Sequence, residues 1–219
     1  MNTWNGYMKG VNLGGWLSQC NYEKKHLEEF ITETDIKKIK AWGMDHVRLP
    51  FDFNIIQDKN GNFTEEGFYY LDNAIQWCQD AGLNIVLDLH KARGYSFDKD
   101  ELEAGLFGNP TYEKSFVDLW IVMAARYGKI GPNVSFELLN EVTSPAFNKG
   151  WMSLAEKTIK EIRRIAPDVV ILLGGYWNNS PDAVKDLITP PDSKVYYNFH
   201  CYDPVFYTSG GRLACRNAS

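Results

Sequence analysis

Short runs of apolar residues recur along the chain, and longer segments with helical periodicity lie between them. Six of the apolar runs are predicted as β-strands, at residues 8–13, 45–50, 83–90, 134–141, 169–175 and 194–202. The run at 83–90 is almost continuously apolar, which is typical of a strand that is buried on both faces of a parallel sheet. The pattern therefore predicts an α/β domain with a buried sheet.

Five helices are predicted between the strands, at residues 33–42, 67–81, 111–127, 151–165 and 181–187. Thr32 and Thr34 are candidate N-caps of the first helix, and Gly43 follows its last residue. Because strands and helices alternate, the sheet is expected to be parallel, with right-handed crossovers. The periodicity alone fits either an open doubly wound sheet or a β/α barrel.

Polar side chains at the ends of the predicted strands favour the barrel. They are Arg48, His90, Asn140 with Glu141, and His200 with Tyr202. In β/α barrels the C-terminal ends of the strands carry the active site, whereas in an open sheet such groups gather at one switch point. No GxGxxG or GxxxxGK[ST] motif follows the first predicted strand, so a nucleotide-binding sheet has little support.

The composition is that of a globular domain and excludes several other classes of protein. The chain has 219 residues, of which 44% are hydrophobic and 23% charged, unlike disordered or coiled-coil sequences. Its net charge of −5 argues against nucleic-acid binding, and no apolar run approaches the length of a membrane span. A complete eightfold barrel usually needs about 250 residues, so the length fits fewer units.

The N-terminal sequence and the cysteines bear on location and on metal binding. The first residues, MNTWNGYMKGVNLGGWL, lack the basic start, apolar stretch and cleavage site of a signal peptide. We therefore expect a cytoplasmic protein, or a secreted one whose signal lies outside this sequence. The four cysteines, at positions 20, 78, 201 and 215, show no CxxC spacing, so neither a metal site nor a cofactor is expected.

Five motifs, read together, point to a known family. GVNLGGWL, DHVRLPFDF, LDLHKARG, FELLNEV and YNFHCYDP occur in this order between Lys9 and about Tyr207. In this order and spacing the chain resembles glycoside hydrolase family 5, the cellulase family of clan A, and within it the compact endoglucanase C type. The resemblance implies an eight-stranded β/α barrel that hydrolyses β-glycosidic bonds with retention, and β-1,4-glucan as the substrate.

The resemblance also defines the predicted fold and domain limits. We expect an α/β fold, an incomplete (β/α)8 TIM barrel of about six β/α units with parallel strands, over residues 1–207. The tail at 208–219, TSGGRLACRNAS, is expected to lie outside the family domain, as a vector-derived or frameshifted segment.

The resemblance assigns roles to three of the strand-end residues first. Glu141 would be the general acid/base, which protonates the leaving oxygen and later deprotonates water; the alternative is a surface glutamate that opens a loop. Asn140 would hydrogen-bond the sugar 2-hydroxyl. Arg48 would hold the nucleophilic carboxylate and lower its pKa; the alternative is an ordinary surface ion pair.

Three further residues take roles by the same resemblance. His90 would bind sugar in the negative subsites, or else be a core histidine with satisfied hydrogen bonds. His200 and Tyr202 stand two positions apart, which places them on one face of the predicted strand. They would support the nucleophile and orient the substrate, or else be ordinary core aromatics.

Aromatic residues near predicted loops are candidate sugar platforms, because pyranose faces present C–H groups to rings. Trp177 is the first choice, with Asn178 as a hydrogen-bonding neighbour, and Trp16 is the second; core packing is the alternative for both tryptophans. Lys91 and Arg93 depart from the family pattern. The family usually has His or Asn at the position of Lys91 and Pro at the position of Arg93. The two charges either alter subsite preference or pair with nearby acids.

The nucleophile is not assigned. Retaining hydrolysis needs a second carboxylate about 5 Å from the first. The resemblance places it at the end of a seventh strand, beyond the six predicted ones. Asp203 is the local substitute, but as the neighbour of Tyr202 on a strand it is expected to point to the other face.

Three functions therefore stay open. The first is an endoglucanase-like β-1,4-glucan hydrolase, with the second carboxylate supplied across a dimer, or with direct water attack and inversion. The second is a catalytically impaired sugar-binding barrel fragment, and the third is a folded fragment without a ligand. Because six units leave two open sheet edges, we also expect a homodimer that covers them.

Overall fold

The sheet has six strands in sequential order, and every neighbouring pair is parallel. The structure, a computed structural model, describes residues 4–98 and 105–202. The strands are β1 (Gly10–Asn12), β2 (His46–Asp52), β3 (Asn84–Lys91), β4 (Val134–Glu137), β5 (Val170–Leu173) and β6 (Val195–Tyr197). A doubly wound sheet reverses its strand order at a switch point, whereas this order never reverses. The predicted fold class, an incomplete (β/α)8 barrel, is confirmed.

The helices lie between the strands in chain order. They are α1 (Lys24–Glu29), α2 (Glu33–Ala41), α3 (Phe53–Ile56), α4 (Glu65–Ala81), α5 (Pro110–Tyr127) and α6 (Asn148–Ile165), with 3-10 turns at Pro145–Phe147 and Pro181–Asp186. The sequence did not predict α1 and α3, because both are short and α1 buries little besides Leu27. None of the helices in the described ranges is long and apolar enough to cross a membrane.

Local sequence explains where the long helices begin and end. Thr32 caps α2 in a reciprocal capping box with Asp35, so Thr34 is inside the helix and is not its cap. Helix α4 ends at Gly82, whose φ of 68° is the left-handed conformation that glycine adopts without strain. Asn109 caps α5 by accepting hydrogen bonds from the first backbone N–H groups of the helix.

The two faces of the sheet have different surroundings. Alternate strand residues pack with the helices in the main hydrophobic core, for example Val47, Leu87, Phe136 and Ile171 with Ile36, Leu71, Trp120 and Ile159. The intervening residues share the opposite face, which carries Asp88 and His90 and which we call the inner face. Near the N-terminal ends of the strands this face is apolar, where Trp4 stacks on Tyr7 with ring centroids 4.0 Å apart.

Four predicted strands end earlier in the structure than in the sequence pattern, and β4 and β6 differ most. Strand β4 ends at Glu137 and not at 141, and β6 ends at Tyr197 and not at 202. Arg48, in contrast, lies within β2 and not at its end. The predictions for Asp203, for Cys215 and for the tail at 208–219 lie outside the described residues.

Candidate active site

Arg48 is the centre of a polar layer on the inner face. Its Nε donates to Glu137 Oε2 at 2.7 Å, and its Nη2 donates to Glu137 Oε1 at 2.9 Å. Nη2 also lies 2.9 Å from Asp88 Oδ2 and 3.0 Å from Asn140 Oδ1. Nη1 donates to Asn12 Oδ1 at 3.0 Å. The guanidinium therefore joins β1, β2, β3 and the segment after β4, and its acidic partners are buried carboxylates and not surface ones.

Strand register explains why two carboxylates meet here. Asp88 of β3 is the direct partner of Glu137 of β4, and both side chains point to the inner face. Asp88 is 0% exposed and Glu137 is 1% exposed, so each negative charge depends on a nearby cation. Neither residue was predicted from the sequence, although Asp88 stands two positions before His90 on the same face.

The two buried carboxylates differ in their titration. Burial disfavours the charged form of Glu137, but Arg48, together with His200, outweighs burial and holds the pKa of Glu137 well below its usual range. Burial raises the pKa of Asp88, although Arg48 opposes the rise. Two close carboxylates that share one cation are expected to separate in this way. Glu137 is therefore the more acidic member of the pair.

Glu141 stands four residues beyond Glu137, at the rim formed by the C-terminal ends of the strands. His200 Nδ1 lies 2.8 Å from its Oε1, and Asn178 Nδ2 donates to its Oε2 at 2.8 Å. Burial raises the pKa of Glu141, but the hydrogen bonds from His200 and Asn178 outweigh it and hold that pKa below its ordinary value. Glu141 is thus a fully engaged carboxylate and not a loosely held surface glutamate.

His200 lies between two carboxylates. Its Nε2 is 3.8 Å from Glu137 Oε1, an ion-pair distance that is too long for a hydrogen bond. Burial lowers the pKa of His200, but Glu137 and Glu141 outweigh it and raise the pKa to about 9. The ring is therefore a cation at neutral pH.

The segment that carries His200 follows β6 and is held by its own contacts. The His200 N–H donates to the carbonyl oxygen of Asn179 at 2.8 Å. Asn198 Nδ2 donates to Glu137 Oε1 at 2.9 Å. Asn198 is a site residue that the sequence analysis missed, because an asparagine in an aromatic segment carried no signal of its own.

His90 and Tyr202 occupy different depths. His90 is buried in β3, and its Nδ1 lies 2.5 Å from Asp88 Oδ2. Tyr202 is 59% exposed and meets His200 edge-on, with ring centroids 6.4 Å apart. The prediction that His200 and Tyr202 share a strand face is wrong, because β6 ends at Tyr197. The two rings are nevertheless neighbours, and Tyr202 is not a core aromatic.

Trp177 lies on the rim in a left-handed turn. Trp177, Asn178 and Asn179 have φ values of 51°, 57° and 56°, which are uncommon for residues other than glycine. The turn leaves the Trp177 ring 53% exposed. It also directs the Asn178 backbone N–H to Val142 O at 2.9 Å, while the Asn178 side chain reaches Glu141. An exposed indole and a donor to Glu141 therefore come from consecutive residues.

Trp16 corrects the second platform prediction. Its side chain is 1% exposed, and its Nε1 donates to Leu27 O at 2.8 Å. The ring stacks against Trp77 with centroids 6.2 Å apart. Of the two alternatives for Trp16, the structure supports core packing, because a buried ring offers no face to a sugar.

The two basic residues at the end of β3, Lys91 in the strand and Arg93 after it, are engaged within the protein. Lys91 is buried, and its Nζ lies 3.8 Å from Asp98 Oδ2. Arg93 donates to the carbonyl oxygens of Asp58 and Lys59 and lies over the ring of Phe53. The contact of Lys91 fits the predicted pairing with a nearby acid, whereas Arg93 contacts carbonyl oxygens and a ring. Across the described residues, no group of three or more potential ligands could hold a metal ion.

The glycosidase resemblance was tested by comparison with known proteins. The family model described as Cellulase (glycosyl hydrolase family 5) matches residues 5–218. Cellodextrinase A of Ruminococcus flavefaciens is 49% identical over 206 residues, which are 94% of this chain and 61% of that protein. Endoglucanase C of Acetivibrio thermocellus is 43% identical over 205 residues, 92% of this chain and 59% of that protein.

Solved structures give the same fold. The cellulose synthase subunit Z (CcsZ) of Clostridioides difficile superimposes with a TM-score of 0.79 at 26% identity, over 95% of this chain and 65% of that one. Endoglucanase Cel5A of Thermotoga maritima gives a TM-score of 0.79 at 22% identity, over 95% and 65%. The chain spans about three-fifths of the curated relatives it matches, with 61% and 59% of their lengths. Its sequence and its parallel six-stranded sheet therefore place it in glycoside hydrolase family 5.

Proposed function

We propose that this chain carries the general acid/base half of a β-1,4-glucan hydrolase, with Glu141 as the acid/base. The observation that carries the proposal is the state of Glu141, a rim carboxylate whose two oxygens are held by His200 and by Asn178, the residue that follows the exposed Trp177. The names of the relatives, a cellodextrinase and an endoglucanase, support a β-glucan as the substrate.

Three side chains are suited to hold a sugar near Glu141. Asn140 Oδ1 accepts a hydrogen bond from Arg48, so the Nδ2 group of Asn140 is the part that donates to a sugar 2-hydroxyl. His90 binds Asp88 through Nδ1, which leaves Nε2 as its contact for a hydroxyl. The Trp177 ring offers an apolar face to pyranose C–H groups.

Glu141 suits the second step of a retaining reaction in the state described. There it must accept a proton from water, and its lowered pKa makes it a carboxylate at neutral pH. In the first step it must instead donate a proton to the glycosidic oxygen. A second carboxylate about 5 Å away would raise its pKa by like-charge repulsion and so allow that step.

Glu137 does not suit the role of nucleophile. It is 1% exposed, and both of its oxygens accept hydrogen bonds from Arg48. We therefore infer that the nucleophilic carboxylate comes from residues outside the described ranges or from another chain. Direct water attack with inversion is the alternative. In that reaction the second carboxylate acts as a general base for water and lies farther from the acid.

The test is hydrolysis of a panel of β-glucans by the protein and by Glu141→Gln. We expect reducing-sugar release from carboxymethylcellulose or mixed-linkage glucan, and its loss in Glu141→Gln. Release from none of the glucans by the unaltered chain would contradict the hydrolase proposal.

A second candidate, a sugar-binding fragment without turnover, is favoured by one observation. In the described part of the chain, the recorded partners of Glu141 include no second carboxylate. Calorimetric titration with cello-oligosaccharides separates the two candidates. Binding without hydrolysis indicates the fragment, and hydrolysis indicates the enzyme.

We also propose a homodimer that covers the open sheet edges. In the described part of the chain β1 and β6 each have one neighbouring strand, so each leaves a row of backbone groups without a ladder partner. Sedimentation at micromolar concentration is expected to give the mass of two chains. A single-chain mass over the whole concentration range would overturn the dimer.

A further inference from the structure

Glu137 contacts two different parts of the molecule, and the proposed mechanism uses neither contact. We propose that Glu137 is a positioning residue for Glu141, which it serves by holding His200 and the segment after β6 against the acid/base carboxylate. The inference deepens the proposed function and rests on it for its catalytic meaning.

The first contact is structural anchoring of the segment after β6. Asn198 Nδ2 donates to Glu137 Oε1 at 2.9 Å, two residues before His200. The Asn198 N–H donates to Leu173 O at 3.1 Å, so this residue is fixed to β5 as well as to Glu137. Glu137 therefore helps to fix the position of the backbone just before His200.

The second contact is electrostatic. Glu137 Oε1 faces His200 Nε2 at 3.8 Å, and on the other side of the ring Nδ1 reaches Glu141 Oε1 at 2.8 Å. Glu137 is the last residue of β4, and Glu141 follows four positions later. His200 thus bridges one buried and one rim carboxylate of the same segment.

The other charged groups around His200 do not replace Glu137. From β2, the Arg48 cation opposes a positive charge on His200. From β3, Asp88 is engaged with Arg48 and with His90. Tyr202 contributes a ring edge. Glu137 and Glu141 are therefore the two groups that favour the cationic ring.

Glu137 is one of several polar partners of Arg48. The guanidinium also contacts Asp88, Asn12 and Asn140. If Glu137 were neutral, Asp88 would lose the like charge that helps to raise its pKa, and it would remain the acidic partner of Arg48. Glu137→Gln is therefore expected to fold.

The experiment follows the imidazole signals in ¹H–¹⁵N NMR spectra during a pH titration. The chain has four histidines, and His200→Asn assigns the signal by its loss. In the unaltered protein we expect His200 to titrate at a pH of about 9. In Glu137→Gln we expect the midpoint to fall by about one unit or more toward the ordinary value.

A matched control removes a surface charge. Glu161 on α6 pairs with Arg164, and Glu161→Gln is expected to leave the His200 midpoint unchanged. An unchanged midpoint in a folded Glu137→Gln protein would overturn the proposal.

A second variant keeps the test decisive if Glu137→Gln does not fold. Glu141→Gln removes the rim carboxylate and leaves Glu137 in place. Under the proposal His200 still titrates above its ordinary value, whereas a return to about 6.5 would show that Glu141 alone holds the charge. The titration uses no substrate, so it can succeed or fail separately from the glucan assay.

Discussion

Glu141 holds its two carboxylate oxygens in unlike surroundings. The bond from His200 to Oε1 is partly buried, whereas the bond from Asn178 to Oε2 is exposed. The cation thus lies behind the carboxylate and the neutral amide lies at its solvent side. Under the proposed function, Oε2 is the oxygen that a glycosidic bond approaches, and His200 sets the charge of the group from behind.

The charge of His200 predicts how stability depends on pH. Its folded pKa of about 9 lies above the ordinary value of about 6.5 for an unfolded chain. A raised pKa contributes stability that is complete below pH ~6.5 and is lost as pH rises through about 9, at about 1.4 kcal/mol per pKa unit. Urea unfolding should show this loss in the unaltered protein and much less of it in His200→Asn. Parallel curves for the two proteins between pH 6 and pH ~9.5 would contradict the assignment.

Two tryptophans that each follow a Gly-Gly pair within two residues provide a comparison. Trp16→Ala removes a buried ring and is expected to lower the free energy of unfolding by about 3–5 kcal/mol. Trp177→Ala removes an exposed ring and should change it by less than about 0.5 kcal/mol, while weakening cello-oligosaccharide binding. Urea unfolding and calorimetric titration check both variants. Equal destabilisation by the two would contradict the placement of Trp177 on the rim.

The sequence could identify reactive residues more readily than their surroundings. Glu141, Arg48 and His200 were selected from motifs, and the structure brings them into one hydrogen-bonded and ion-paired network. Trp16 and Trp177 could not be separated, because a tryptophan near a predicted loop fits a core or a rim equally well. Glu137 was predictable in part, since an acid in an apolar strand needs a partner, but its partners lie on other strands.

At the level of elements, the strand ends were the least predictable feature. The Leu138 N–H bonds to Leu172 O on β5, but the Asn140 N–H bonds to Leu89 O on β3. After β4 the backbone therefore changes its hydrogen-bonding partner from β5 to β3. Leu138 and Leu139 are still apolar there, so the apolar run continues beyond the last residue of the strand. The same switch carries Asn140 and Glu141 up to the rim.

Close packing of α3 on α4 gives an element-scale prediction. A β-carbon on Gly67, in the first turn of α4, would lie 1.8 Å from the carbonyl oxygen of Ile55 in α3. Gly67→Ala must therefore separate the two helices, and we expect a loss of about 1–3 kcal/mol in the free energy of unfolding. The exposed neighbour Glu66→Ala is the control and should change stability little. Equal stability of the two variants in urea would contradict this packing.

At the scale of the whole molecule, six parallel strands hold a polar layer that is already connected. Arg48 links β1, β2, β3 and β4, and Asn198 ties the end of β6 to Glu137. The predicted barrel class followed from alternation and motif order, which depend on local sequence. The network did not, because it depends on register between strands that are distant in the chain.

The central claim is that Glu141 donates a proton to the glycosidic oxygen and then accepts one from water, and leaving-group dependence tests the donation most directly. The kcat/KM values for aryl β-cellobiosides, which report the first step, are compared for the unaltered protein and Glu141→Gln. A poor leaving group needs protonation, so its rate should fall about 10²–10⁴-fold, whereas a dinitrophenyl leaving group should lose little in the first step. Equal losses for both substrates, or no loss for either, would contradict the account.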